Sequence, residues 1–460
     1  MVIPLYAFEK PYPELPFYWR EVFNFLKKNR ILYKYYFVAP YNDIPKFIQV
    51  SVSSPGDRFQ NVTKEEREEY GFANGSSFAT EEAISKAVGE LLERYPLGVY
   101  EKHKLILGST KEVESRYASI KVLGPSQIAG FSDEQKKRNS RMRFDDNSVF
   151  HWERVKNLIT GKTALIPAQL VYWRYKQDEP FIRESNTNGC GGGFSKNEAI
   201  LSAIYEIVQR DAFLLYWYNH LPPPQIEKST IPDETLQEHL AASQRYGFDI
   251  YFLNTTSDIG VFSCAAVIVD RNNHDFAPKI SVGGGCSSNF LSALKRSYIE
   301  AWSCYQWIRS RGVTVKFDEN SYTPFDYSSG IDQTRRLSIW ANHNMFEHFR
   351  FFLEGEKESF SEAINQFGTP PGLSTDQELN HVKNRFSALG KGYEIYLYEA
   401  RQAFLSKLGY HSVHVIIPEM IPLWLSEGAA VSGAKRFQSA FPKFGKKPQA
   451  PLFKFPHPFP

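Results

Sequence analysis

The sequence predicts an α/β (α+β) fold of mixed β-sheets flanked by helices, assembled from interleaved strand, Gly-rich turn and helix repeats. Three observations carry this expectation. A Gly-rich turn followed by an amphipathic helix recurs along the chain, β-rich runs precede its copies, and the copies lie too far apart for a solenoid. The chain has 460 residues, and a length prior of about three units gives way to one domain over residues 1–428 with a Pro-rich tail over 429–460.

Composition narrows the class further. Hydrophobic residues make up 42% and charged residues 23%, which excludes a disordered or fibrous chain. Lys plus Arg number 54 and Asp plus Glu 51, a net charge of +3 that supplies no basic excess for a nucleic-acid partner. The longest nearly apolar run, Val261 to Val269, is broken by Ser263 and falls far short of the roughly 18 residues of a membrane helix. Met1 to Tyr6 lacks the pattern of a secretory signal, so a cytoplasmic location without a membrane partner is expected. Cys190, Cys264, Cys286 and Cys304 are too few and too irregular for a disulfide scaffold and read as reduced thiols.

In chain order, Phe47 to Ser53 reads as a strand ahead of the first copy, Gly75 to Arg94. That copy matches Gly191 to Arg210 without a gap: Phe78 pairs with Phe194, Glu82 with Glu198, Glu90 with Glu206, Glu93 with Gln209 and Arg94 with Arg210. Val261 to Val269 reads as the strand ahead of a partial third copy, Gly283 to Trp302, in which Ala293 and Glu300 keep the spacing while Ser303 and Cys304 follow. Residues 315–380 read as a mostly helical insertion. Tyr393 to Tyr398, Ala400 to Leu408 and His411 to Ile417 then read as strand, helix and strand closing the domain. After about Ala429 the composition shifts toward Lys, Phe and Pro, and the chain ends Pro456-His-Pro-Phe-Pro460. Alternating Pro favours an extended, semi-rigid segment that can deliver its final carboxylate to a fixed place.

At 100° per residue, helix positions 0, 4, 8 and 11 fall within an arc of about 80°. Glu82, Lys86, Glu90 and Glu93 therefore share one face, as do Glu198, Ser202, Glu206 and Gln209, and Ser292, Arg296, Glu300 and Ser303. Carboxylates at i, i+3 repel unless a cation sits between them. Their repetition behind Gly-rich turns marks a convergent polar site, for which Mg2+ is the natural ion because it takes carboxylate oxygens and bridges nucleotide phosphates. Commoner nucleotide motifs fail. Gly161-Lys-Thr163 has Lys156 where a P-loop needs Gly, and Gly189 to Gly193 runs into Phe194 rather than completing a dinucleotide fingerprint.

These residues resemble the YcaO family, specifically its azoline-forming cyclodehydratases. The resemblance rests on Gly75 to Arg94, on Asn188-Gly189 through Glu198, Glu206 and Arg210-Asp211, on Gly283 to Glu300, on Val413-His-Val-Ile-Ile-Pro418 and on the terminal P-x-P-x-P. It implies ATP binding without a P-loop. Glu90, Glu93, Glu206 and Glu300 would be metal ligands, and Glu198, Ser202, Gln209, Arg94, Arg210 and Arg296 would complete the nucleotide site. It also implies a catalytic or site-organising tail formed by Pro456, Pro458 and Pro460. The implied reaction is attack of a Cys, Ser or Thr side chain on the preceding amide of a ribosomally made precursor peptide, ATP phosphorylating the amide oxygen so that a thiazoline or oxazoline forms. Implied partners are that peptide, a separate leader-binding protein resembling ubiquitin-activating enzymes, and a flavin-dependent azoline dehydrogenase. Gln209, Phe194 and Lys86 depart from the Glu, Asn and Ser usual in the family. Two other readings stay open: thioamide or amidine formation with an external nucleophile, and a non-catalytic scaffold subunit.

Overall fold

The computed structural model describes residues 16–459 except 39–40, 60–70, 129, 177, 273, 275–276, 312–316, 319–321, 327–329, 368–371, 442–446 and 449. Fifteen strands in the described residues form three sheets. The first is the antiparallel set β1 (Lys34–Val38), β2 (Ile48–Ser53) and β3 (Phe72–Ser77). The second has seven strands: β4 (Ile106–Ser109), β5 (Lys121–Val122), β6 (Val149–Asn157), β7 (Thr163–Pro167), β8 (Cys190–Gly193), β14 (Tyr396–Glu399) and β15 (His411–Ile416), in the order β5-β7-β6-β14-β15-β8 with β4 on β6. The third runs β12-β11-β10-β9-β13, from β12 (Ile280–Ser287) through β11 (Phe262–Asp270), β10 (Phe248–Asn254) and β9 (Gln225–Ile226) to β13 (Lys357–Glu358).

The strands β3, β8 and β12 each stand at an edge of a different sheet. Each leads into one long helix: α1 (Thr80–Gly98), α2 (Lys196–Tyr218) and α3 (Phe290–Arg311). This corrects one expectation. The Gly-rich segments are not turns but strands, with Gly75 in β3, Gly191 to Gly193 in β8 and Gly283 to Gly285 in β12. The upstream runs are their antiparallel neighbours, Val50 opposite Gly75 and Cys264 opposite Gly285.

Glycine is required there because each helix backbone lies directly against its own strand. A Cβ on Gly75 would fall 2.0 Å from the Ala83 carbonyl oxygen, one on Gly191 2.2 Å from that of Ala199, and one on Gly285 2.1 Å from that of Ala293. The same offset of eight residues in all three copies makes the close approach the physical content of the repeat. Gly191→Ala is expected to destabilise the protein by about 3 kcal/mol, since neither backbone can yield cheaply. Gly89→Ala, whose Cβ meets only the Tyr410 hydroxyl at 3.4 Å, should be neutral or slightly stabilising by helix propensity. Denaturant midpoints compare the two.

The remaining elements position this centre. The insertion is helical in its described residues, with α4 (Gln333–Ala341) among its helices, but it also supplies β13, which pairs parallel with β9. The closing unit is β14, α5 (Ala403–Leu408) and β15, and it completes the second sheet by pairing β15 antiparallel with β8, Val413 opposite Gly191. Residues 429–441 pack into the body rather than trailing from it. Arg436, wholly buried, bonds both Asp211 oxygens at 2.7 Å and Asp258 at 2.7 Å, a pairing that satisfies all three buried charges. No helix of the described residues is long and apolar enough to cross a membrane.

Candidate functional site

The polar faces of α1, α2 and α3 meet between the three edge strands. Superposing Gly75, Gly191 and Gly285 places Glu90, Glu206 and Glu300 at one equivalent position, and Lys86, Ser202 and Arg296 at another. The bonding is alike in kind, the N–H that each carboxylate accepts lying one residue before Gly75 and two before Gly191. Glu90 accepts the Asn74 N–H at 2.5 Å and Glu206 accepts the Gly189 N–H at 2.7 Å. Lys86 Nζ donates to the Ser76 carbonyl at 3.3 Å and Arg296 Nη1 to the Cys286 carbonyl at 3.1 Å, one residue past each equivalent glycine. The free edges of the Gly-rich strands are thus bonded by side chains of their own helices, which holds those side chains toward the centre.

Copies one and two pair their carboxylate internally, Glu90 with Arg94 and Glu206 with Arg210, the latter at 2.6 Å. Arg94 Nη1 also reaches the Phe72 carbonyl at 3.4 Å, and Arg210 Nη1 the Asn188 amide oxygen at 3.3 Å. Copy three has Cys304 where the arginine stands, its thiol 3.9 Å from Glu300. Glu300 therefore has no guanidinium at that equivalent position four residues on, the arginine of its own helix being Arg296, one turn before it.

Burial and mutual repulsion mark the cluster electrostatically. Burial, then the neighbouring Glu206 and Glu90, raise the Glu93 carboxyl to about 8, against the opposing pull of Arg94 and Arg210. Burial raises Glu206 despite Arg210 and the Gly189 N–H, and burial then Glu90 raise Glu300. Glu300 keeps accessible surface while ringed by protein, as a concave cleft produces. A cavity of about 180 Å³ beside Glu93 and Glu206 is lined by these two and by Cys190, Ser202, Tyr205, Gln209, Cys286 and Arg296.

An all-oxygen donor set suits a hard cation such as Mg2+, and carboxyls whose charged forms are disfavoured by one another are what a divalent cation would relieve. As arranged, Glu90 and Glu206 are turned to their arginines, and among the described residues no three His, Cys, Asp or Glu groups converge on one metal position.

Of the residues expected in the site, Glu198 stands apart. Its carboxylate accepts the Ser195 N–H at 3.0 Å in the capping box that starts α2, eight residues or roughly 12 Å along the helix from Glu206. Its repeat mate Glu82 is held by Ser77 at 2.6 Å and Lys86 at 2.7 Å, while the Lys86 charge also opposes the rise of the Glu300 carboxyl. Phe78 is stacked on His239, whereas Phe194 is 68% exposed and touches Tyr410 edge-on.

The tail threads back to the same centre. Phe453 N–H bonds the Tyr218 carbonyl at 2.7 Å, the Phe455 carbonyl accepts Trp217 Nε1 at 3.1 Å, and the Pro456 carbonyl accepts Trp340 Nε1 at 3.0 Å. Pro456, Pro458 and Phe459 are buried, and Pro460 lies outside the described residues. The Phe459 ring packs on Phe213 and fills the space that a side chain at Gly284 would need, beside Gln209. Tyr205 and Arg336 belong to this region without a sequence signal, because their partners, such as Ser288 for Tyr205 at 2.6 Å, come from distant segments.

The fold and site define a class: an α/β protein whose carboxylate-lined cleft is made by three strand–helix copies. The chain belongs to the YcaO cyclodehydratase family, described as ATP- and Mg2+-binding, whose model matches residues 74–421. Among solved structures it is similar to a heterocyclase in complex with substrate and cofactor, at 18% identity and a TM-score of 0.70 over 93% of this chain and 55% of that one. It is also similar to YcaO from Methanopyrus kandleri bound with AMPPCP and Mg2+, at 16% identity and a TM-score of 0.62 over 89% of this chain and 93% of that one. The chain in the E. coli microcin synthetase McbBCD complex matches at 15% identity and a TM-score of 0.52, over 84% of this chain and 88% of that one. At these identities the likeness is one of fold. The chain covers 33% and 44% of the lengths of two curated relatives, both called uncharacterized, from Methanothermobacter thermautotrophicus and Rhizobium leguminosarum bv. trifolii, at 28% and 26% identity over 27% and 39% of this chain.

Proposed function

We propose that the protein catalyses ATP- and Mg2+-dependent cyclodehydration of Cys, Ser or Thr residues in a ribosomally made precursor peptide, giving thiazolines or oxazolines. The observation that carries this reading is the meeting of two features in one cleft: a buried carboxylate cluster with two arginines, and a Pro-rich tail whose Phe459 lies beside Gln209. An amide oxygen is a poor leaving group, and a phosphoryl group placed on it makes it a good one.

Mg2+, held by Glu90, Glu93, Glu206 and Glu300, would neutralise phosphate charge. Arg94 and Arg210, each anchored by a carboxylate and by a backbone or Asn188 oxygen, present fixed positive charge where phosphate charge develops. Ser202, Gln209 and Arg296 line the same cavity and would orient the nucleotide. The tail excludes water from one wall and would orient the peptide amide for attack.

Support for a peptide substrate and for partner subunits comes from relatives that carry a substrate or form a synthetase complex. The proposed partners are a leader-binding protein resembling ubiquitin-activating enzymes and a flavin-dependent azoline dehydrogenase, and the proposed location is the cytoplasm.

The test is to incubate the protein with ATP, Mg2+, its partner and candidate peptides, and to follow peptide mass. Loss of one water per ring with matched phosphate release is expected. Exchange of oxygen for sulfur or nitrogen would assign thioamide or amidine formation, and unchanged peptide without ATP turnover would make the chain a scaffold.

A further inference from the structure

The insertion helix α4 carries Arg336 and Trp340, one turn apart and both buried. Trp340 Nε1 donates to the Pro456 carbonyl at 3.0 Å, and Arg336 Nη2 donates to the Phe459 carbonyl at 3.3 Å. The other nitrogen, Nη1, gathers the Trp424 and Leu425 carbonyls at 3.2 and 2.8 Å, and Glu427 lies 4.0 Å away. Arg336 and Glu427 are both fully buried.

A wholly buried guanidinium spent on three carbonyls is costly. What those carbonyls share is the path of the tail. The Trp424 carbonyl also pairs with His457 Nε2 at 3.2 Å, so Arg336 ties the 424–425 turn, the tail and the insertion at one point. Earlier tail residues have their own anchors at Tyr218, Trp217 and Trp340. Arg336 bonds Phe459, whose ring rests against Gly284 and beside Gln209 in the cleft wall.

We propose that Arg336 is a positioning residue for the cyclodehydration reaction: through the Phe459 carbonyl it fixes the end of the tail against the cleft, coupling the helical insertion to peptide chemistry. This rests on the reaction proposed above. Nucleotide binding, which draws on α1, α2 and α3, does not pass through it.

The test compares the full-length wild type with Arg336→Met, Arg336→Lys and Arg336→Met combined with Glu427→Leu. The double variant removes both members of the buried pair and keeps the core neutral should the single variant fail to fold. Ring formation on a synthetic peptide containing Cys, Ser and Thr is measured with the partner present, alongside the KM for ATP and the release of C-terminal residues by a carboxypeptidase.

The expected result for Arg336→Met and the double variant is a fall of about a hundredfold in kcat for ring formation, an unchanged KM for ATP and faster release of Phe459. Arg336→Lys should recover part of the rate. A folded double variant with wild-type ring formation, or with wild-type resistance to the carboxypeptidase, overturns the proposal. If the wild type forms no ring on any peptide, the reaction assignment fails, and Phe459 release alone then decides whether Arg336 holds the tail.

Discussion

Removing Phe459 and Pro460 is expected to lower ring formation by about a hundredfold or more while leaving Mg-ATP affinity nearly unchanged. Phe459 is the residue that closes the wall. Its ring occupies the space over Gly284 and abuts Gln209, and its carbonyl is held by Arg336. The carboxylates of Glu90 and Glu206 are held instead by Arg94, Arg210 and backbone N–H groups of their own strand–helix units. Truncation should therefore open the peptide side of the cleft and leave its nucleotide side in place. Parallel measurement of peptide mass and of nucleotide affinity by calorimetry checks the split. An equal loss of both would show that the tail supports the whole site instead of the peptide step.

The second large effect is expected at Glu300. Glu300→Gln should reduce ATP-dependent turnover by about 10²- to 10³-fold, with apparent Mg2+ affinity falling as well. Glu90 and Glu206 are each neutralised by an arginine one turn along the same helix, whereas the third copy offers Cys304 at that position. Glu300 is thus, of the three equivalent carboxylates, the one from which a cation need displace no arginine four residues on. Glu198→Gln provides the contrast. The Glu198 carboxylate closes a capping box, a role that Gln135 and Gln377 fill in two other helices, so this change should cost little stability and little turnover. Steady-state kinetics across a Mg2+ titration distinguish the two, and equal losses at Glu198 and Glu300 would overturn this assignment of roles.

Much of the centre is legible in the sequence because the repeat is local. Spacing within one helix determines which side chains share a face, so the alignment of the copies alone groups Glu90 with Glu93, Glu206 with Gln209, and Glu300 with its neighbours on the third helix. The Gly-rich segments are legible as glycine but not as strands. Runs of glycine ordinarily read as turns, and only the packed helix backbone, 2.0 Å from where a Gly75 Cβ would sit, shows why a strand there excludes every other side chain. Glu198 shares a helical face with Glu206, yet helical pitch carries it into the first turn, where the Ser195 cap claims it.

The triplicated unit, the carboxylate faces and the stiffness of the Pro-alternating tail are all written in the chain itself, since each follows from bonding and torsions within a few residues. The meeting of three sheet edges at one cleft is not. The same holds for Arg336 of the insertion and Phe459 of the tail, which come together at its wall. Those contacts join segments 123 to 227 residues apart, as between Arg336 and Phe459 or Ser76 and Ser303. Their formation depends on the burial of whole faces and on satisfying buried polar groups, which no local spacing encodes.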